Sequence, residues 1–196
     1  NFNIETNPNK YTIYINQQIY NLSKETLKLN KNNFKLYKNN LKLLVDFVRF
    51  NLVKTVEEIN ILCEKYSIVP VADECNVVLE ILEWGKNNIK EIDFTDMIWL
   101  CIENNISIPN SYKFDYIFID EAQDSSIMQQ KLIKKCFKEN TRFIAIGDEF
   151  QCINAFAGAD NDAFKKFQQE PNTTSLELPV TYRCPKKIVD LVNKKC

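Results

Sequence analysis

The 196-residue chain contains no histidine, which excludes any step that needs an imidazole acid, base or metal ligand. Glycine is scarce, with Gly85, Gly147 and Gly158 only, and there are six prolines, too few of either for a linker or low-complexity protein. None of the three glycines stands in a G-x-x-x-x-G-K-[ST] setting. The chain therefore lacks the loop that lays backbone N–H groups and a lysine on a triphosphate. No run reaches the roughly 18 to 20 apolar residues of a membrane span. The Asn1-Phe2-Asn3 start has neither the basic beginning nor the apolar run of a signal peptide. The seven cysteines, at 63, 75, 101, 136, 152, 184 and 196, include no C-x-x-C pair, which argues against zinc. Their apolar neighbours, as in Ile61-Leu62-Cys63 and Trp99-Leu100-Cys101, read as buried, reduced thiols of an intracellular protein.

What is present can bury a core: 45% of residues are hydrophobic and 12% aromatic. The net charge of −1 hides an uneven spread. Residues 1–56 carry nine Lys/Arg against three Asp/Glu, residues 57–130 four against fifteen, and residues 131–196 twelve against eight. The basic first part suits either phosphate contact or a solvated lysine surface. The missing initiator Met, and an end at Lys194-Lys195-Cys196 inside a helical pattern, read as cuts within a longer protein.

Residues 11–20 are rich in β-branched and aromatic types and predict a strand or hairpin. From about 24 to 105 the pattern is helical. Leu41, Leu44, Val45 and Val48 fall on one face, residues 57–66 and 74–84 repeat the habit, Gly85 reads as a helix stop, and Asp93 as the cap of a helix reaching about Asn104. The run 114–119 then predicts a buried parallel strand that stops at acids. A helix capped by Asp124 or Ser125 follows, with Ile127, Leu132, Ile133, Cys136 and Phe137 on one side. After it come a strand at 143–146, a helix over about 161–169, a strand at 176–178 and a helix opened by Pro185. This order predicts an α/β layer with a parallel sheet behind a mostly helical part.

Three constellations carry chemistry. Ile119-Asp120-Glu121-Ala122-Gln123-Asp124 sets two carboxylates at the carboxyl edge of a sheet, where open α/β sheets bind ligands. Asp120 suits Mg²⁺, and Glu121 suits orienting and deprotonating a water. A strand running out into a solvated turn has the same local look. Gly147-Asp148-Glu149-Phe150-Gln151 would put polar groups beside the first site, with Gln151 able to sense a terminal phosphate. Phe156 offers either a stacking face for a base or a core residue. Tyr182-Arg183 offers a stacking ring and an arginine finger, or a surface ion pair.

In this order the three resemble the UvrD/Rep family of superfamily 1 DNA helicases. Residues 120–124 look like motif II, residues 147–151 with Phe156-Ala157-Gly158-Ala159 like motif III, and Tyr182-Arg183 like motif IV. Asp93-Phe94-Thr95-Asp96-Met97 resembles the Asp-Phe-x-Asp-Leu element before motif II. The likeness covers about residues 91–196. It implies a partial RecA-like motor domain at 91–180, a helical insertion of 1B type at 1–90, and the start of a second RecA-like domain at 181–196.

The resemblance also implies roles. Asp120 holds Mg²⁺. Glu121, Gln151 and Arg183 are catalytic. Gln123, Asp148 and Tyr182 serve the nucleotide. Phe156 and Asn154 face single-stranded DNA. The implied parent couples Mg-ATP hydrolysis to movement on single-stranded DNA and unwinding of duplex. It is expected to be cytoplasmic, off the membrane and monomeric, with the phosphate loop before residue 1 and this piece inactive alone. Asn154 and Ala157 depart from a frequent Tyr and Arg, which weakens the expected grip on DNA, and Cys184 stands where Ser usually caps. Two other readings remain: a non-catalytic DNA- or protein-binding module, and the helicase part of a helicase–nuclease.

Overall fold

The computed structural model describes residues 4–21, 30–154, 158–192 and 194. Its first helix, α1 (Lys10–Asn21), takes the stretch expected as a strand or hairpin. The correction has a physical reason. Tyr11, Ile15 and Ile19 recur every four residues and all three are buried, so one helical stripe seats them together. A helix also satisfies its own backbone groups, whereas a strand here would need a neighbour. Composition suggested β structure; packing of the stripe decided otherwise.

Three helices follow. Asn30 caps α2 (Lys31–Asn51) by accepting from the Asn33 N–H, and the predicted face of Leu41, Leu44, Val45 and Val48 is buried. Thr55 and Glu58 close a reciprocal capping box on α3 (Val56–Lys65). Helix α4 (Glu74–Asn87) runs through Gly85, which is therefore no helix stop. Gly85 instead lets α1 approach, since a Cβ there would lie 2.2 Å from the Tyr11 hydroxyl oxygen. A short parallel pair, β1 (Glu5–Thr6) with β2 (Glu91–Ile92), ties the start of the chain to the start of α5 (Asp96–Glu103). The cap position of this helix is Thr95, which makes no side-chain cap bond, and not Asp93 as expected; Asp93 still accepts from the Asp96 N–H at 2.7 Å.

These helices close over a cluster of buried charge. Arg49, 1% exposed, donates to Asp93 at 2.8 Å, to Asp96 at 3.0 Å and to Asp46 at 2.6 Å. Asp96, also 1% exposed, accepts from Lys10 and from the Tyr11 hydroxyl, each at 2.8 Å. Lys10 further reaches the Gly85 carbonyl. Burial alone would disfavour the Arg49 cation, but the surrounding acids outweigh it and hold its pKa above the usual value. The hydrophobic core runs without a break from Tyr11 through α2, α3 and α4 to Trp99, Leu100 and Met128.

The α/β portion begins with β3 (Phe114–Ile119), paired in parallel with β4 (Phe137–Ala145). Between them lies α6 (Ile127–Lys135), capped by Ser126 with Gln129 in a capping box, and not by Asp124 or Ser125. Met128 and Gln130 are its buried residues, and Phe137, expected on this helix, belongs to β4. The ladder joins Ile117 to Phe143 and Ile119 to Ala145, with an irregularity between Phe114 and Tyr116. Only one side is packed. Phe143 meets Phe137 and, from α7 (Ala163–Gln168), Phe167. Phe114, Tyr116 and Phe118 lie more than half exposed, so the expectation of a strand buried on both faces is corrected.

No strand forms at 176–178: Leu176 and Leu178 are 86% and 89% exposed, without a described neighbour to pair with. Pro185 does precede a helix, α8 (Lys186–Val192). The whole is a mixed helix-and-strand structure whose described sheets are small and parallel.

Candidate active site

The ladder between β3 and β4 continues past both strands. The Ile146 N–H donates to the Ile119 carbonyl and the Ala122 N–H to the Ile146 carbonyl, each at 2.8 Å. The turn after β3 is thereby held against the Gly147-Asp148 turn after β4. Within it, Glu121 adopts φ +51°, a left-handed conformation uncommon outside glycine. Such backbone strain costs on the order of 1–3 kcal/mol and persists where the surroundings impose it, often at functional turns. The Glu121 N–H donates to the Asp120 carboxylate at 3.0 Å, which folds the two acids onto one turn. Both are exposed.

Gln123, 3% exposed, is the hub. Its amide nitrogen donates to the Glu121 carboxylate at 2.8 Å, and its amide oxygen accepts from the Asp148 N–H at 3.1 Å. Gly147 makes this possible, because a Cβ there would sit 2.3 Å from the Gln123 oxygen. The Asp148 carboxylate in turn accepts from the Phe150 N–H at 3.0 Å and from the Gln151 amide at 2.7 Å. Glu121, Gln123, Asp148 and Gln151 therefore form one hydrogen-bonded series across the ends of two parallel strands. A cleft of about 370 Å³ opens beside it, lined by Asp120, Glu121 and Asp124 on one side and by Leu132 and Ile133 of α6 on the other. Small-molecule sites commonly fall between about 300 and 1,000 Å³.

Other expected residues lie apart from this series. Asn154 is half-buried, and its amide donates to the Asp124 carboxylate at 2.6 Å. Phe156 lies outside the described residues. Tyr182 is 97% exposed and Arg183 is exposed, and the Arg183 guanidinium forms no ion pair among the described residues. Neither is brought to the carboxylates.

Two participants were missed from the sequence. Asp124, read as a helix cap and as the last residue of the 120–124 motif but given no role in the site, is the anchor for Asn154. Asp160, 3% exposed, accepts from Gln130 at 3.0 Å and pairs with Lys166. Burial would raise its pKa, but the bonds from Lys166 and Gln130 prevail and hold its carboxyl below the usual carboxylate range. No spacing in the sequence signals the Asp124–Asn154 and Gln130–Asp160 pairings, which each join residues 30 apart. Burial and the neighbouring Asp124 and Asp160 push the Cys152 thiol up, so it stays protonated beside the site.

Carboxylate oxygens suit a hard cation such as Mg²⁺. Among the described residues no three His, Cys, Asp or Glu side chains form a cage for an ion. Mg²⁺ needs no such cage: it keeps several waters and is held by one or two carboxylates together with substrate phosphates. Exposed Asp120, with Glu121 one residue on, fits that pattern.

No described helix is long and apolar enough to cross a membrane. The chain is 32% identical over 115 residues to the ATP-dependent DNA helicase Rep of Buchnera aphidicola subsp. Schizaphis graminum, covering 56% of this chain and 17% of that protein. It is 30% identical over 111 residues to the ATP-dependent DNA helicase PcrA of Bacillus subtilis (strain 168), covering 54% and 15%. With the RecBCD enzyme subunit RecB of Haemophilus influenzae it shares 34% over 119 residues, covering 55% and 10%. The chain thus spans less than a fifth of the length of these relatives. The family model of the UvrD/REP helicase N-terminal domain matches residues 1–172, joining the helical part and the carboxylate turn in one assignment, and the chain belongs to that family.

Proposed function

We propose that this chain is the part of an ATP-dependent DNA helicase that carries the hydrolytic carboxylates of its nucleotide site. The observation that carries this reading is the Gln123 amide, which bridges the Glu121 carboxylate and the Asp148 N–H. Through it, the turns after two parallel strands are joined at the strands' carboxyl ends, the favoured ligand position in α/β sheets, with the cleft opening on the Asp120–Asp124 side. In this reading residues 91–180 belong to a RecA-like motor domain, residues 1–90 to a helical insertion, and residues 181–196 open a second motor domain.

Asp120 supplies the protein ligand for Mg²⁺, which would neutralise charge developing on the transferred phosphoryl group. Glu121 orients the attacking water and accepts its proton, and Gln123 fixes which way that carboxylate points. Gln151, held by Asp148, stands ready to reach a terminal phosphate, and Gln123 and Asp148 complete the polar wall on the nucleotide side. Arg183 and Tyr182, exposed in this structure, are the charge-stabilising and base-stacking groups that must come to the nucleotide from a second domain. Asn154 and Phe156 belong to the DNA-facing segment. The 196 residues contain no phosphate loop, so alone they bind ATP weakly and do not turn it over.

The test is ATP hydrolysis, with and without single-stranded DNA, by the helicase that contains these residues. Glu121→Gln removes the base and is expected to lower kcat by about 10²–10⁴-fold while leaving nucleotide affinity within a few-fold. Unchanged turnover in that variant would refute the assignment. So would micromolar ATP binding with turnover by the 196 residues alone.

A further inference from the structure

The three residues after Glu121 and Ala122 each hold one point of the segment that follows Gln151. The Gln123 carbonyl accepts from the Cys152 thiol at 3.4 Å, the Asp124 carboxylate accepts from the Asn154 amide at 2.6 Å, and the Ser125 carbonyl accepts from the Asp160 N–H at 3.1 Å. Of these, only the middle one joins two side chains, and only it involves a charged group, which makes it the strongest of the three. Its geometry is unusual in one respect. The second Asp124 oxygen, Oδ1, is buried and has no hydrogen-bond partner in the structure. Among the described residues no other donor reaches the carboxylate, and Asn154 sets its direction. The Asn154 carbonyl also accepts from the Ala159 N–H at 3.3 Å, which fastens the far side of the same segment.

We propose that Asp124 and Asn154 are a positioning pair. They hold the Gln151–Asn154 stretch in register with the Asp120–Glu121 turn, and so link the two carboxylates to the DNA-facing segment. This rests on the nucleotide and DNA reading given above, and it changes the part Asn154 plays within that reading. One of the two Asn154 amide hydrogens is engaged by Asp124, which turns the side chain toward that carboxylate. In this proposal Asn154 acts on DNA through the segment it holds. Asp124 likewise acts through Asn154.

The pair can be tested by exchanging its members in the helicase that contains these residues. Asn154→Asp sets two carboxylates face to face. Asp124→Asn alone keeps an acceptor for the Asn154 amide. The double exchange, Asp124→Asn with Asn154→Asp, restores the bond with donor and acceptor reversed and leaves net charge as in the original. Two quantities are read for all four proteins: affinity for a fluorescein-labelled oligothymidylate of about 16 nucleotides by anisotropy, and backbone hydrogen exchange across residues 150–160 by mass spectrometry. Asn154→Asp is expected to weaken DNA binding about tenfold and to speed exchange in that segment. The double exchange is expected to return both to within about twofold of the original, a rescue that a general loss of structure would not give. Melting temperatures should agree across the set, because the core of α1 to α5 lies elsewhere.

If the double variant is no better than Asn154→Asp in either quantity, the pairing is refuted. If affinity changes while exchange does not, Asn154 touches DNA directly and the positioning role is refuted. If exchange follows the expected pattern but the original chain does not hold the oligonucleotide, the pairing stands and the DNA reading falls.

Discussion

Replacing Arg49 with Met is expected to be among the most damaging single changes in this protein. Met keeps most of the side-chain length and can pack against the Tyr11 ring, over which the guanidinium carbon now lies 4.2 Å from the centroid. What disappears is the cation between three acids. Asp96 would retain Lys10 and the Tyr11 hydroxyl, each at 2.8 Å. Asp93, 8% exposed, would keep the Asp96 N–H at 2.7 Å and lose its cation. Removing one partner from a buried pair costs about 3–5 kcal/mol, because the remaining charge stays out of water unpaired. Set against a total stability of about 5–15 kcal/mol, that is a large fraction.

The contrast lies within the same cluster. Asp46 also pairs with Arg49, but its side chain is 49% exposed, so Asp46→Asn should cost about 1 kcal/mol or less. Arg49→Lys should fall between the two, since an ammonium cannot serve Asp93, Asp96 and Asp46 with one rigid fork. Urea unfolding followed by circular dichroism measures all three. An Arg49→Met cost under about 1 kcal/mol would show that the acids relax to water, and would refute the reasoning.

Gly85→Ala should destabilise by about 1–3 kcal/mol by overpacking, because the new methyl group would lie 2.2 Å from the Tyr11 hydroxyl oxygen; a denaturation midpoint equal to that of the original sequence would contradict this. Asp160 has a carboxyl pKa held below its unfolded value, so it adds stability above the usual carboxylate range, and that stability is lost as pH falls through the folded value. Asp160→Asn should accordingly flatten the acid limb of stability against pH, measured as urea midpoints, and an unchanged limb would refute the assignment. Burial pushes the Cys63 thiol up to about 11 and also raises Cys75, whereas Cys184 is exposed. A maleimide at neutral pH should label Cys184 well before either buried thiol, which peptide mapping would show; early labelling of Cys63 would count against the core described here.

Much of the local structure was legible in the sequence. The apolar run ending at Asp120 is a parallel strand, and the periodic stripes from Leu41 to Val48 and across residues 57–66 are helices. The errors have specific causes. Residues 11–20 combine strand-forming types with a four-residue stripe, and only the neighbours of that stripe settled the choice. Gly85 reads as a helix end until Tyr11 is seen against it. Leu176 and Leu178 have the composition of a strand, but a strand exists only through a ladder partner, and none is described beside them.

The candidate site divides in the same way. Its residue types were visible, because an acid pair after an apolar run and a Gly-Asp after the next are local patterns. Their connections were not. That Gln123 lies between Glu121 and Asp148, that Asp124 takes Asn154, and that Asp96 draws Lys10, Tyr11 and Arg49 into one buried cluster are contacts between distant segments. The sequence by itself determined which chemistry the chain has to offer and the period of most of its elements, since both depend on near neighbours. Only the tertiary structure decided which polar groups find partners away from water, because the cost of burying a charge is met or left unmet by residues far along the chain.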